Sequence, residues 1–487
     1  MGRLVVVSNR VSVPGDSTKR AGGLEVALRP LLQNKGGVWL GWSGKVAPAD
    51  EIETRCIRHK NVDHVVTDLS KEDFDEYYKG FANRVLWPIL HYRPDLAEYA
   101  GRDLRGYFRV NAHFATKLDA IIADDDLIWV HDYHLIPFAD AMRRRGCRNR
   151  MGFFLHIPFP PPEILTSLPG HEQLFPLLAK YDVVGFQTDA DAQNFVRYLT
   201  LECAQLRQLH SVERAGGTVV VSKDGYQTLI GSFPVSIEPR AFARMARRNV
   251  RSPLVEKLVA SLGGRNLVIG VDRLDYTKGL IQRFDAFEFF LKSQNELQGS
   301  VTYLQIVPRN RSDIPEYAEH EEALRSAAGR INGQYGEVSW TPIRYVNRVY
   351  SRSALAGLYR IARVGLVTPL RDGMNLVAKE YVAAQDPQNP GVLILSRFAG
   401  AAVGFQRALL VNPSDTESVA GAVAQALAMP LAERRERHTA LFANLRDYDI
   451  DRWHKEFLAA LQGPRDVKTS SSPVALDDGE WTRSSAA

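Results

Sequence analysis

The chain has 487 residues, more than one ordinary hydrophobic core holds, so two or three domains are expected. Hydrophobic residues make up 45% and charged residues 24%, the balance of a water-soluble globular protein. The 61 Lys and Arg against 56 Asp and Glu leave +5, spread along the chain, which argues against a nucleic-acid surface and fits small anionic ligands.

In chain order, the first apolar run, 4–7, reads as a buried strand and is followed by Ser8, Asn9 and Arg10. Gly22 and Gly23 then open an amphipathic helix. Paired glycines let backbone approach a ligand closely, although a plain turn would use the same pair. No GxGxxG follows any strand, which weighs against a nicotinamide enzyme. "GWSG" (41–44) and "YYKGFANRVLWP" (77–88) place Trp42, Tyr78 and Trp87 in loops, with Arg10 and Lys79 nearby in sequence. Such aromatics suit a phosphorylated sugar, and each would equally serve as core. "ADDD" (123–126) precedes its strand and reads as a solvated loop. Strands at 127–130 and 151–157 lead into "WVHDYHL" (129–135) and "FFLHIPFP" (153–160). Asp132 and His156 therefore fall at strand ends, where a carboxylate and an imidazole suit hydroxyl recognition or proton handling. His131 and His134 read as core or supporting residues. Strands at 183–187, 218–221 and 228–233 complete this half.

A break falls near 236–253, including a basic helix-like stretch at 241–248. The strand 267–271 then runs into "VDRLDYTKG" (271–279), so Arg273 and Lys278 flank the tip of the next helix, 280–291. Two cations beside helix N-terminal amides form a site for a diphosphate. Pairing of Arg273 with Asp272 or Asp275 on the surface is the alternative. Strands follow at 301–307, 343–346 and 364–367, with a helix at 353–359. The last of these strands ends in "TPLRDGMNLVAKE" (368–380). There Asp372, Gly373 and Met374 form a tight turn, and Asn375 opens a helix, 375–384. The amides of Met374, Asn375 and Leu376 suit phosphate, Gly373 permits close backbone approach, and Glu380 suits a ribose diol. Strands at 392–395 and 408–411 and a helix at 418–428 follow. The stretch 451–461 puts Trp453, Phe457 and Leu461 on one helix face. Residues 468–487, rich in Ser and Asp, read as a disordered tail.

This alternation of strands and helices predicts an α/β protein with two doubly wound parallel sheets and a cleft between them. Cys56, Cys147 and Cys203 lie far apart, so neither a disulfide framework nor a zinc site is expected, and a reducing cytoplasm is the expected setting. The N-terminal apolar run is too short for a signal peptide, and no apolar stretch approaches the roughly 20 residues that span a bilayer. No cluster of metal-ligand spacing appears at a strand end.

The ordered set "SNR", "GGL", "GWSG", "LWP", "WVHDYHL", "LHIPFP", "VDRLDYTKG", "GRING", "LVTPLRDGMNLVAKEYVAAQ" and "LSRFAGAA" resembles the trehalose-6-phosphate synthases, retaining glycosyltransferases of family 20. The resemblance runs from about Leu4 to about Leu461. It implies a GT-B fold: an N-terminal Rossmann-like acceptor domain over 1–240, a C-terminal donor domain over 241–447, a helix at 448–463 crossing back, and a tail at 464–487. It implies a nucleotide-glucose donor, UDP-glucose first and ADP- or GDP-glucose as alternatives, with glucose 6-phosphate as acceptor. No metal and no cofactor is implied. A homo-oligomer, often a tetramer in the family, is implied, with no nucleic-acid or membrane partner.

Matched to the family's motifs, Arg273 and Lys278 clamp the donor diphosphate. Asp372 and His156 contact the transferred glucose, and Gly22, Gly23, Gly373, Met374, Asn375, Leu376 and Glu380 complete the donor site. Arg10, Trp42, Tyr78, Trp87, Asp132 and Arg311 match the acceptor set, with Arg10 and Arg311 on its phosphate. The implied catalytic group is Arg273, Lys278, Asp372, His156 and Asp132, working by front-face displacement. The rival readings are transfer to another phosphorylated acceptor such as glycerol 3-phosphate, and a non-catalytic sugar-phosphate sensor on the same fold.

Overall fold

Apolar runs that are covered on both faces build parallel strands, and most strands of this chain are of that kind. The computed structural model describes residues 2–11, 23–203, 206–212, 217–222, 225–308 and 315–463. Gly22, Arg311 and the stretch 464–487 lie outside the described residues.

The first sheet contains β1 (Leu4–Arg10), β2 (Gly37–Ala47), β3 (Thr54–His59), β4 (Val62–Ser70), β5 (Leu127–His131), β6 (Met151–Phe154), β7 (Val183–Phe186), β8 (Leu206–Val212), β9 (Gly217–Ser222) and β10 (Gln227–Ser232). Their order is β3-β4-β2-β1-β5-β6-β7-β10-β9-β8. The run from β4 to β10 is parallel, while β3 and the β9–β8 pair join antiparallel at the two edges. Strand order reverses between β1 and β5. The second sheet contains β11 (Asn266–Val271), β12 (Val301–Ile306), β13 (Ile343–Val346), β14 (Val364–Val367), β15 (Val392–Ser396) and β16 (Leu409–Val411). It is parallel throughout, in the order β13-β12-β11-β14-β15-β16, the doubly wound arrangement of dinucleotide-binding folds. Its reversal lies between β11 and β14.

The sequence reading did not include β2, β3, β4 or β8. The strand expected over 151–157 ends at Phe154, and the backbone of His156 and Ile157 beyond it lies against Gly373 of the second half. The expected solvated loop at 123–126 holds for Ala123, Asp124 and Asp125, which are exposed, but not for Asp126. Asp126 is buried and accepts hydrogen bonds from the Arg3 guanidinium, the Arg3 N–H and the Ala123 N–H, which ties the start of β1 to the start of β5.

The helix Ile450–Gln462 lies on the first sheet. Phe457 stacks on Trp129 of β5 with ring centroids 4.5 Å apart and planes at 10°, and Trp453 lies 4.9 Å from the same indole. Two strand glycines make the slot: a Cβ on Gly152 or on Gly185 would come within 2.8 Å of the Phe457 ring. Arg150 Nε donates to the Leu461 carbonyl at 2.9 Å, and His454 Nε2 lies 2.9 Å from the Ala27 carbonyl. The chain thus passes between the sheets twice, and the two passages are bonded to each other: Ile450 N–H donates to Ile237 C=O at 3.0 Å.

Candidate functional site

Ligands of open α/β sheets bind beyond the carboxyl ends of strands where strand order reverses. In the second sheet this is the space beyond β11 and β14. Lys278, one short turn after β11, donates to Asp372 Oδ2, beyond β14, at 2.6 Å. The two loops also share backbone bonds, Leu370 N–H and Arg371 N–H both reaching the Thr277 carbonyl. Burial pushes the Asp372 carboxyl up. Lys278, together with His91 and Arg273, outweighs that and holds it below the ordinary value.

The turn that carries Lys278 is braced from inside the sheet. Arg283, 1% exposed, donates to Asp272 at 2.5 Å, Gln305 at 3.0 Å, Thr368 at 3.1 Å and the Lys278 carbonyl at 3.1 Å. A buried cation needs such partners, and here they fix both strand ends. Asp272 is thereby committed to Arg283. Arg273 pairs with Asp275 at 3.2 Å, one of the two alternatives the sequence left open. It also lies 5.3 Å from the centre of the Trp87 ring, which belongs to the first half of the chain.

The turn after β14 shows why Gly373 is glycine. A Cβ there would overlap the His156 carbonyl and lie 2.9 Å from Ile157 Cα. The close approach is to the backbone of the facing half. Asn375, at φ 74° and ψ 85°, caps the helix Leu376–Ala384 by accepting from Ala378 N–H at 3.2 Å, and its amide donates to Asp372 at 3.0 Å. Met374 is buried, with its carbonyl taken by Ala401 N–H. Glu380, on the same helix, accepts from Arg352 Nε at 2.9 Å through Oε1, and burial pushes its carboxyl up despite that pairing.

In the first sheet the reversal lies between β1, which ends at Arg10, and β5, which precedes Asp132. Asp132 has φ 79° and ψ 162°, a region that side chains normally avoid at a cost of about 1–3 kcal/mol. Its carboxylate accepts from Tyr133 N–H at 3.0 Å and lies 3.4 Å from His156 N. His156 Nε2 is 3.1 Å from His131 Nδ1. Burial depresses both imidazoles, His156 to about 3, so the pair is neutral.

The aromatic residues form one ridge. Arg10 lies 5.7 Å from the Trp42 ring, and Gly44 (φ 87°) leaves the room its guanidinium occupies. Trp42 is 5.6 Å from Tyr78, Tyr78 stacks on His134 at 6.0 Å, His134 is 4.0 Å from Tyr133, and Tyr133 is 5.7 Å from Trp87. Trp42 and Trp87 are 4% and 3% exposed, so core packing is much of what they do. Tyr78 sits in a π-helical segment, Phe74–Leu86, whose widened turns often accompany functional sites. Tyr77 O–H ties that segment to Asn9 at 2.8 Å.

The geometry therefore joins Arg273, Lys278, Asp372, Gly373, Met374 and Asn375 to His156 and Trp87 across the cleft. Arg10, Trp42, Tyr78 and Asp132 lie on the first half only, and Gly23 begins the helix Gly23–Lys35. Leu376 and Glu380 follow on the helix Leu376–Ala384. Sequence reading missed His91 and Arg352. His91 is one helical turn beyond Trp87, its Nδ1 is 2.8 Å from the Trp87 carbonyl, and burial lowers it to about 4, opposed by Asp275 and Asp372. Its i+4 spacing from Trp87 was the available signal. Among the described residues no group of three His, Cys, Asp or Glu could hold a metal ion. No described helix is long and apolar enough to cross a membrane.

Two Rossmann-like sheets with their switch points facing each other define the class: this is a GT-B glycosyltransferase. The model of glycosyltransferase family 20 matches residues 3–463, and the chain belongs to that family. It is 51% identical to a trehalose-6-phosphate synthase of Sinorhizobium fredii over 96% of this chain and 99% of that one. Among solved structures, an α,α-trehalose-phosphate synthase (UDP-forming) from Burkholderia xenovorans in complex with glucose 6-phosphate superposes with TM-score 0.91, at 45% identity over 95% of this chain and all of that one. An E. coli structure bound with UDP-2-fluoro glucose gives TM-score 0.87 at 44% identity, covering 96% of this chain and 100% of that chain.

Proposed function

We propose that the protein transfers glucose from UDP-glucose to glucose 6-phosphate with retention, giving α,α-trehalose 6-phosphate and UDP. The observation that carries this is the Lys278–Asp372 pair at the second sheet's switch point, with the adjoining Gly373 turn seated on His156 of the first half. A cation at that place meets the charge that develops on a departing diphosphate, so Lys278 and Arg273 act mainly on the transition state. Asp372 is held anionic and accepts from a hydroxyl of the transferred glucose. Neutral His156 adds a hydrogen bond without a competing charge. The acceptor hydroxyl attacks C1 on the face the diphosphate leaves, the C1–O bond to phosphate breaks, and the hydroxyl proton passes to the leaving oxygen. Positioning and electrostatics are then the protein's main contribution.

On this reading Glu380 holds ribose hydroxyls through the oxygen that Arg352 leaves open, and Gly22, Gly23, Met374, Asn375 and Leu376 line the donor. Arg10, Trp42, Tyr78, Trp87, Asp132 and Arg311 form the acceptor site. Residues 1–240 and 241–447 act as acceptor and donor domains, with 448–463 as the returning helix. A cytoplasmic homo-oligomer is the proposed state, which light scattering reads. Activity is measured over a matrix of nucleotide-glucose donors and acceptors, with the product's structure and anomeric configuration read by NMR. Glucose 6-phosphate is expected to be far better than free glucose or glycerol 3-phosphate, and Arg10→Ala to narrow the gap between glucose 6-phosphate and glucose. An unchanged ratio removes Arg10 from the acceptor phosphate, and a different product overturns the reading.

A further inference from the structure

Lys379 stands next to Glu380 on the helix Leu376–Ala384, yet its side chain turns away into the protein and is 6% exposed. Its ammonium donates at 2.8 Å to the carbonyl of Val235. Burial alone lowers it to about 7. An amine buried there, with no carboxylate partner among the described residues, costs stability, which points to a role other than holding the fold together.

Val235 belongs to the segment between β10 and the helix Pro239–Asn249, the first of the two passages between the sheets. Its N–H donates to Gln187 Oε1 at 3.0 Å, and Gln187 Nε2 donates to the His156 carbonyl at 3.3 Å. Gln187 is 2% exposed and directly follows β7. A buried line of hydrogen bonds thus runs from the donor-side helix, through the inter-sheet passage, to the loop bearing His156. The same carbonyl of His156 is the atom against which the Gly373 turn rests. The donor-side helix and its own N-terminal turn therefore reach one carbonyl of the facing half by two routes.

We propose that Lys379 and Gln187 are positioning residues: through Val235 they set the distance between the donor turn, Asp372–Asn375, and His156, so that the transferred glucose meets the acceptor in reacting geometry. This rests on the functional reading above. Lys379 touches neither substrate. UDP alone is held mainly by groups of the second half, so its binding depends little on the tether. The reaction does, because it requires both halves in register.

The test uses the full chain with Lys379→Met, Gln187→Met and the double variant. Each substitution keeps an unbranched side chain of similar length and removes the polar end. The readouts are Tm, Kd for UDP by calorimetry, and kcat and KM for both substrates. Expected are a Tm within a few degrees of wild type, a UDP Kd changed less than about threefold, and kcat lower by roughly ten- to a hundredfold in each single variant. The double variant is expected to fall no further than the worse single one, because both break one line of bonds. If Lys379→Met does not fold, Gln187→Met decides alone. A kcat near wild type in a folded variant, losses that multiply, or a parallel loss of UDP affinity overturns the tether. A wild type that forms no trehalose 6-phosphate overturns the functional reading instead.

Discussion

Substituting Gly373 by alanine tests how closely the two halves of the site must meet. The added methyl would overlap the His156 carbonyl oxygen and lie 2.9 Å from Ile157 Cα and 3.0 Å from the His156 carbonyl carbon. All three are backbone atoms, so no side chain can swing aside. The turn cannot retreat either: Gly400 backs it so tightly that a Cβ on Gly400 would overlap the Gly373 carbonyl. Relief must come from parting the Gly373 turn and the His156 loop by about 1 Å, a displacement that typically costs on the order of a hundredfold in rate. The strain itself is worth about 1–3 kcal/mol, small enough for the protein to remain folded. The assay is steady-state release of UDP from UDP-glucose and glucose 6-phosphate, alongside UDP binding and thermal melting. The expected outcome is kcat down about a hundredfold with UDP affinity nearly unchanged. Gly421→Ala, in the helix Thr416–Ala428 where a Cβ meets nothing within 4 Å, is the control and should leave kcat alone. Near-normal kcat in Gly373→Ala would show that the contact does not set reacting geometry.

Two further outcomes follow from packing. Burial holds His91 neutral down to about 4 and His156 to about 3, whereas both titrate near 6.5 once unfolded. Between those values the unfolded chain binds protons that the fold refuses, so stability is complete above about pH 6.5 and falls on acidification. At pH 5 the buried His91 alone should cost about 2 kcal/mol, and His91→Gln should flatten the fall in Tm between pH 7.5 and pH 5, an effect absent if the imidazole is free to charge. Phe457→Ala empties the slot between Gly152 and Gly185 and should lower unfolding free energy by about 3–5 kcal/mol in denaturant titration, and a loss under 1 kcal/mol would mean the helix is held elsewhere.

The second sheet was legible because its strands are buried on both faces and read as unbroken apolar runs, such as Leu267–Val271 and Val364–Val367. The first sheet was legible only in part. In β2 glycines, Ser43 and Lys45 interrupt the run, in β4 Asp63, His64 and Asp68 do, and every residue of β3 is exposed. The cationic and anionic residues at strand ends stood out because charge is unexpected there. Arg283, Arg352 and Lys379 did not, since a charge within a helix reads as solvent-facing. The burial of Arg283 and Lys379 depends on partners far away in sequence, Thr368 for the one and Val235 for the other. Trp453, Phe457 and Leu461 announced an apolar stripe through their spacing, but the two glycines that receive Phe457 lie about 270 and 300 residues earlier. The strained backbone at Asp132 has no sequence signal at all.

The returning helix also bears on how the protein is made. Strands β1 to β10 are complete once residue 232 has been synthesised, but the side chains that close their face belong to residues 450–461. At about 5–20 residues per second, some ten to forty-five seconds separate the two events on the ribosome. Through that interval Trp129, Gly152 and Gly185 present an open apolar trough to whatever surrounds the nascent chain. The first half is thus the first to emerge and the last to finish folding, and its exposure to chaperones is built into the order of the chain.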